Sequence, residues 1–136
     1  MSKYPRAKQQ FLEWIERKAD EKGVEMTVSP YSNYFYREPD VIGRVRGTTR
    51  TPYKTTNTED EIDGSKNLDV EFEEVICVVL RLRNDEFNPD RDDFYPLPLH
   101  TVKRYSDWQP SQSRYQLDIS FSEDDVEIHK NNLEYI

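Results

Sequence analysis

The sequence predicts an α+β fold: an N-terminal helix packed on a curved, mostly antiparallel sheet of five or six strands, with a long hairpin arm. Three observations predict it. An amphipathic stripe at helical spacing runs from Pro5 to Gly23, Leu68–Arg83 alternates with a period of two, and a second clean alternation covers Arg114–Phe121.

Pro5 suits the first helical position, where its missing N–H costs nothing. Ala7, Phe11, Trp14, Ile15 and Ala19 recur at spacings of three and four, which gathers them into one buried stripe. Glu13, Arg17 and Glu21 stand at i,i+4 on the wet side, spaced for ion pairs. Gly23 supplies the stop. Val24, Met26 and Val28 then alternate with Glu25, Thr27 and Ser29, so the helix feeds a strand that Pro30 ends. Tyr31, Tyr34, Phe35 and Tyr36 place four aromatics in six residues, and Val41–Arg46 makes another short strand. The aromatics suit either a sheet core or an interface.

Leu68–Arg83 is the most telling run. Leu68, Val70, Phe72, Ile76, Val78, Leu80 and Leu82 share one face, interrupted only by Glu74. The other face is acidic at its start, apolar at Val75, Cys77 and Val79, and basic at Arg81 and Arg83. A strand that is apolar on both sides at its middle is a central strand buried on both faces. At about 3.3 Å per residue the run would reach roughly 50 Å, far beyond a usual strand. It therefore bends near Glu73–Glu74 or projects as an arm.

Gly47–Asn67 has little to bury. Six of its 21 residues are threonine, and only Tyr53 and Ile62 are large and apolar. Residues 47–67 read as an extended loop or arm, ordered against a partner. Arg37, Arg44, Arg46, Arg50 and Lys54 lie on the near side, and Glu59, Asp60, Glu61, Asp63, Asp69, Glu71, Glu73 and Glu74 on the far side. An antiparallel hairpin would set the two signs opposite each other; otherwise the basic flank is a binding patch. Replacing Thr49–Lys66 by a short Gly-Ser turn is expected to leave stability nearly unchanged, because loop length enters stability slowly.

Asn84–Asp93 is a polar turn. Phe94–Tyr105 is apolar again, but Pro96 and Pro98 lack an N–H, which confines it to a sheet edge or an extended connection. Trp108–Ser113 reads as a loop. Tyr115, Leu117, Ile119 and Phe121 alternate with polar residues as a half-buried strand, and Val126–His129 and Leu133–Ile136 are short terminal strand candidates.

The length of 136 residues suits one domain, residues 1–136. With 19 Lys+Arg against 27 Asp+Glu, the net charge of −8 repels phosphate backbones at long range and disfavours general nucleic-acid binding. Cys77 is the only cysteine and lies within an apolar run, so it reads as a small buried hydrophobe and no intramolecular disulfide can form. No apolar window reaches membrane-spanning length and no apolar run follows Met1–Arg6, so we expect a soluble protein without a signal peptide, cytoplasmic or virion-associated.

Catalytic chemistry is sparse. His100 and His129 are the only histidines, and the four glycines form no phosphate loop. Asn88, Asp90 and Asp92 match alternate positions of a calcium loop, but Asp93 stands where glycine is needed and Leu99 where glutamate is needed. We expect no metal site and no cofactor.

Residues 7–46 run as amphipathic helix, glycine, strand, serine-containing turn and then Glu38-Pro39-Asp40-Val41. This order resembles the opening of PD-(D/E)XK nucleases, especially archaeal-type Holliday-junction resolvases. The resemblance implies a divalent-metal site in which Glu13 or Glu16 is the helix acid and Asp40 a metal ligand. The family's Glu-x-Lys element is missing; its nearest equivalent is Val79-Leu80-Arg81, with arginine for lysine.

The expected function is a non-enzymatic protein–protein interaction or assembly component, a small structural or accessory protein of a virus or mobile element. Its partner is another protein or a second copy of itself. Candidate binding residues are Tyr31, Tyr34, Tyr36, Arg44, Arg46, Arg50, Tyr53 and Lys54. The alternatives are a PD-(D/E)XK nuclease-like protein, catalytically inactive, with Glu13, Asp40 and Arg81 as its remnant site, and an acidic mimic of DNA.

Overall fold

The apolar middle of Leu68–Arg83 demands cover on two sides, and the fold supplies it with one helix and a second sheet. The computed structural model describes residues 3–29, 33–57 and 72–134. Helix α1 (Pro5–Glu21) leads into β1 (Thr27–Ser29), β2 (Tyr34–Arg37), β3 (Val41–Thr48) and β4 (Tyr53–Asn57). The chain continues through β5 (Glu74–Arg81), β6 (Asp93–Pro98), helix α2 (Leu99–Arg104), β7 (Ser106–Gln109), β8 (Arg114–Ile119) and the short helix α3 (Asp124–Glu127). A five-stranded sheet has the order β1-β2-β3-β5-β6, and a three-stranded sheet the order β4-β8-β7.

The α+β class is as expected, but the strands divide between two sheets. Among the described residues all pairings are antiparallel except β3 with β5, which run parallel from Val41 opposite Glu74 to Thr48 opposite Arg81. This overturns the hairpin arm. The strand after Gly47 does not fold back on β5; β4 crosses to the second sheet and pairs with β8. Parallel neighbours need a long crossover, and residues 49–73 provide it. Residues 58–67 of the expected arm lie outside the described residues.

β5 is central and buried on both faces. Ile76, Val78 and Leu80 join a core with Ala7, Phe11, Ile15 and Ala19 of α1. Val79 faces the other way, into a core with Tyr95, Leu97, Leu117 and Ile119, against which Cys77 packs half-buried. The strand begins only at Glu74, just after a bend in the chain at Glu73. The part of the run at residues 68–71 lies outside the described residues.

The helix signals act as read. Pro5 opens α1, and Gly23, at φ 73°, closes it. Gly23 N–H donates to Asp20 O at 3.0 Å and Val24 N–H to Ala19 O at 2.9 Å, which satisfies two of the last carbonyls. Among the described residues the ion pair on the wet side is Lys18–Glu21, at 3.5 Å, rather than Arg17 with Glu13 or Glu21.

β6 is an edge strand, as its prolines require. Phe94 turns its backbone outward, where its N–H donates to Asn131 Oδ1 (3.0 Å) and its carbonyl accepts from Asn131 N–H (2.7 Å). Pro96 and Pro98 share that outward parity, so their missing donors fall on the free edge.

Three local expectations are corrected. Leu99–Arg104 is helical, with Lys103 and Arg104 in the last turn, where cations suit the helix dipole. Trp108 belongs to β7, because it pairs across the sheet with Tyr115, ring centroids 5.0 Å apart, and cross-strand packing outweighs the loop-like composition. Val126 lies in α3 rather than a strand, with Asp124 and Asp125 favouring a helix start.

Candidate functional site

The register of β2 against β3 ends at Tyr34 opposite Arg44, and one further bond runs from Val45 N–H to Asn33 O, at 2.8 Å. Beyond it, Arg46–Thr48 has no strand partner on this side among the described residues. The uncovered edge faces a cleft of about 860 Å³. Lys3, Tyr4 and Lys8 at the start of α1 line it, as do Arg50, Pro52, Tyr53 and Lys54 after β3. Six cations line the cleft (Lys3, Lys8, Arg44, Arg46, Arg50 and Lys54), and no carboxylate does among the described residues.

Local structure positions some of these cations more firmly than others. Arg44 and Arg46 are two residues apart on β3 and so share a face. Arg44 Nε is buried without a hydrogen-bond partner among the described residues. Thr48, 6% exposed, closes the turn that carries Arg50: its hydroxyl accepts from Arg50 N–H and donates to Arg50 O, both at 3.0 Å. Tyr4 reaches across the cleft mouth to Thr49, hydroxyl to hydroxyl at 2.9 Å. Lys54 stands 3.7 Å from Asp118, its cross-strand neighbour, but both side chains are more than half exposed and such a pair restrains little.

Lys8 is the unusual member. It is only 5% exposed, and burial, aided by the nearby Arg46 and partly offset by Asp85, pushes its pKa from 10.5 down to about 8. Lys8 is buried and Arg44 and Arg46 are half-buried, whereas Lys3, Arg50 and Lys54 are exposed, so the gathered like charges favour an anion most at the inner end of the set.

Of the sequence candidates, Arg44, Arg46, Arg50, Tyr53 and Lys54 converge on this cleft. Tyr53 is 8% exposed and packs into the second core. Tyr34 and Tyr36 stack on each other along β2 at 6.1 Å, Tyr36 also meets Phe72 at 6.0 Å, and neither lines the cleft. Tyr31 lies outside the described residues. Lys3, Tyr4, Lys8 and Asn33 escaped sequence reading because they are distant in the chain. Lys8 did leave a signal: it interrupts the apolar stripe of α1, next to Ala7 and one turn before Phe11 and Leu12.

The nuclease-like residues are not brought together. Asp40 sits in the β2–β3 turn, where Arg37 Nε donates to it at 3.2 Å. Glu13 and Glu16 are on the exposed face of α1. Arg81 ends β5 opposite Thr48, whereas Asp40 adjoins Val41, opposite the start of β5. A strand of that length puts roughly 23 Å between them. Arg81 instead lies over the Phe121 ring at 5.1 Å. No group of three or more His, Cys, Asp or Glu among the described residues is arranged to hold a metal ion.

The Asn88–Asp92 turn is closed by its own bonds. Asp92, 5% exposed, accepts from Asn88 N–H (2.9 Å) and Arg91 (3.0 Å), and Asn88 Oδ1 accepts from Asp90 N–H (2.9 Å). No helix among the described residues is long and apolar enough to cross a membrane. Comparison of the chain with protein-family models, curated proteins and solved structures finds no match.

Proposed function

We propose that this is a non-enzymatic interaction protein, an accessory or assembly component, whose cationic cleft takes an acidic segment of a protein partner. The observation that carries the reading is the convergence of six cations in one cleft of a chain whose net charge is −8. A positive cleft set in a negative surface focuses the field, so it selects a local anionic segment rather than an extended polyanion. Long nucleic acids meet the repulsion of the whole molecule before they reach the cleft. Arg44, Arg46 and Arg50 offer planar guanidinium groups, which match carboxylates with paired hydrogen bonds.

A fluorescent poly-glutamate peptide and a single-stranded oligonucleotide of equal charge test this by anisotropy at low and high salt. We expect the peptide to bind more tightly, binding to weaken with salt, and the Arg44→Glu, Arg50→Glu double variant to lose about tenfold or more, equivalent to 1.4 kcal/mol. Tighter binding of the oligonucleotide, or peptide binding that survives the double reversal, would overturn the proposal.

A further inference from the structure

The chain has two runs with four carboxylates in five residues, Glu59–Asp63 and Glu123–Glu127. The first lies outside the described residues. The second forms an exposed tip around α3. Tyr105 and Arg104 engage Asp125 there, the arginine at 3.0 Å, but Glu123, Asp124 and Glu127 have no ion-pair partner among the described residues. Ile128 follows them and is 71% exposed, the most exposed of the large hydrophobic residues described. A single exposed apolar side chain is ordinary; one set beside unpaired carboxylates has the make-up of an anchor. The cleft has the converse make-up. Its Lys3, Arg44 and Arg50 have no ion-pair partner among the described residues, and Tyr4 and Pro52 line it with them.

We propose that the cleft receives the Glu123–Ile128 tip of a second copy of this chain, so that copies join head to tail. This rests on the acidic-segment reading and names the segment. Within one molecule the two surfaces are held apart. The cleft opens on the edge of β3 that faces β2, whereas the chain just after the tip is tied to the outer edge of β6, where Asn131 bonds both backbone groups of Phe94. β5 lies between, which sets β3 and β6 two strand spacings apart, about 10 Å. Two unlike surfaces on opposite edges make a heterologous contact, which builds rings or open chains rather than a two-fold dimer. Copies with a net charge of −8 repel at long range. At about 0.1 M salt that repulsion is screened beyond roughly 10 Å, while charges in close contact still attract.

Sedimentation of the full chain over a range of concentrations, at about 0.1 M salt, tests this. We expect the wild-type mass to rise with concentration past that of a dimer. Two double variants change exposed side chains only: Lys3→Glu, Arg50→Glu in the cleft and Glu123→Lys, Glu127→Lys at the tip. Each is expected to weaken self-association about tenfold or more, as is Ile128→Ser. An equimolar mixture of the two double variants is expected to assemble again, because each contact then joins opposite charges. Both variants stay net negative, so overall attraction cannot rejoin them. A wild type that is monomeric throughout, a mixture that stays apart, an Ile128→Ser variant that assembles like wild type, or rescue by Glu59→Lys, Asp60→Lys in place of the tip pair would overturn the proposal. Poly-glutamate binding by a protein that stays monomeric would remove this inference alone; absence of both would remove the acidic-segment reading with it.

Discussion

Lys8 and His129 show how burial sets the chemistry of single residues here. Both are bases placed where the charged form is disfavoured, and both pKa values fall. His129 follows α3 and buries Nδ1 without a hydrogen-bond partner among the described residues. Burial, then the neighbouring His100, pushes its pKa below the usual 6.5, against smaller pulls from Asp125 and Glu134. The unfolded chain therefore takes up a proton at this site more readily than the folded one. The contribution to stability is complete above 6.5 and is lost as pH falls from 6.5 toward the lowered folded value. In urea titrations between about pH 7 and pH 5, the wild type should lose more stability than His129→Gln. Equal losses in the two proteins would show that another group titrates.

Close strand packing decides what the central sheet tolerates. Gly43 lies mid-strand in β3, opposite Phe35 on β2 and Ile76 on β5. The Phe35 ring, 1% exposed, lies directly over it: a Cβ at Gly43 would run into Cζ and come within 2.6 Å of Cε1. Alanine at this position must push a buried ring off its rotamer, and overpacking of that kind costs about 1–3 kcal/mol. We expect Gly43→Ala to lower the thermal midpoint and Phe35→Leu to recover part of the loss in the double variant. A single variant that melts like wild type would mean that the ring moves at no cost. β6 shows the opposite solution at the sheet edge, where two prolines and Asn131 leave little backbone for another chain to pair with.

At the scale of the whole molecule, the crossover between β3 and β5 is structural. It carries β4, the strand that covers one side of β8. Tyr53 on β4 packs with Leu117 and Ile119, which are 1% and 0% exposed. Replacing Thr49–Lys66 by a Gly-Ser turn would therefore delete a sheet strand and a core aromatic, not a neutral loop. Losing the aromatic alone costs about 3 kcal/mol or more, a large part of a domain's stability. We expect the shortened protein to be unfolded or to melt far below wild type by circular dichroism. Retention of the wild-type midpoint would show that the second sheet does not depend on β4.

The helix, its caps, the doubly buried central strand, the proline edge and the half-buried β8 were legible in the sequence, because each is written in local periodicity or in the backbone chemistry of Pro and Gly. The parallel β3/β5 pair, the second sheet and the strand at Trp108 were not. Strand pairing is a choice among distant partners, and only burial of both faces of β5 decides it. The cleft divides in the same way. Arg44, Arg46, Arg50 and Lys54 stood out as a basic run, while Lys3, Tyr4, Lys8 and Asn33 joined them only when α1 and β2 packed beside β3. Residue types and periods were local properties of the chain; the cleft required charges from separate segments to come side by side, and that proximity is set by tertiary packing.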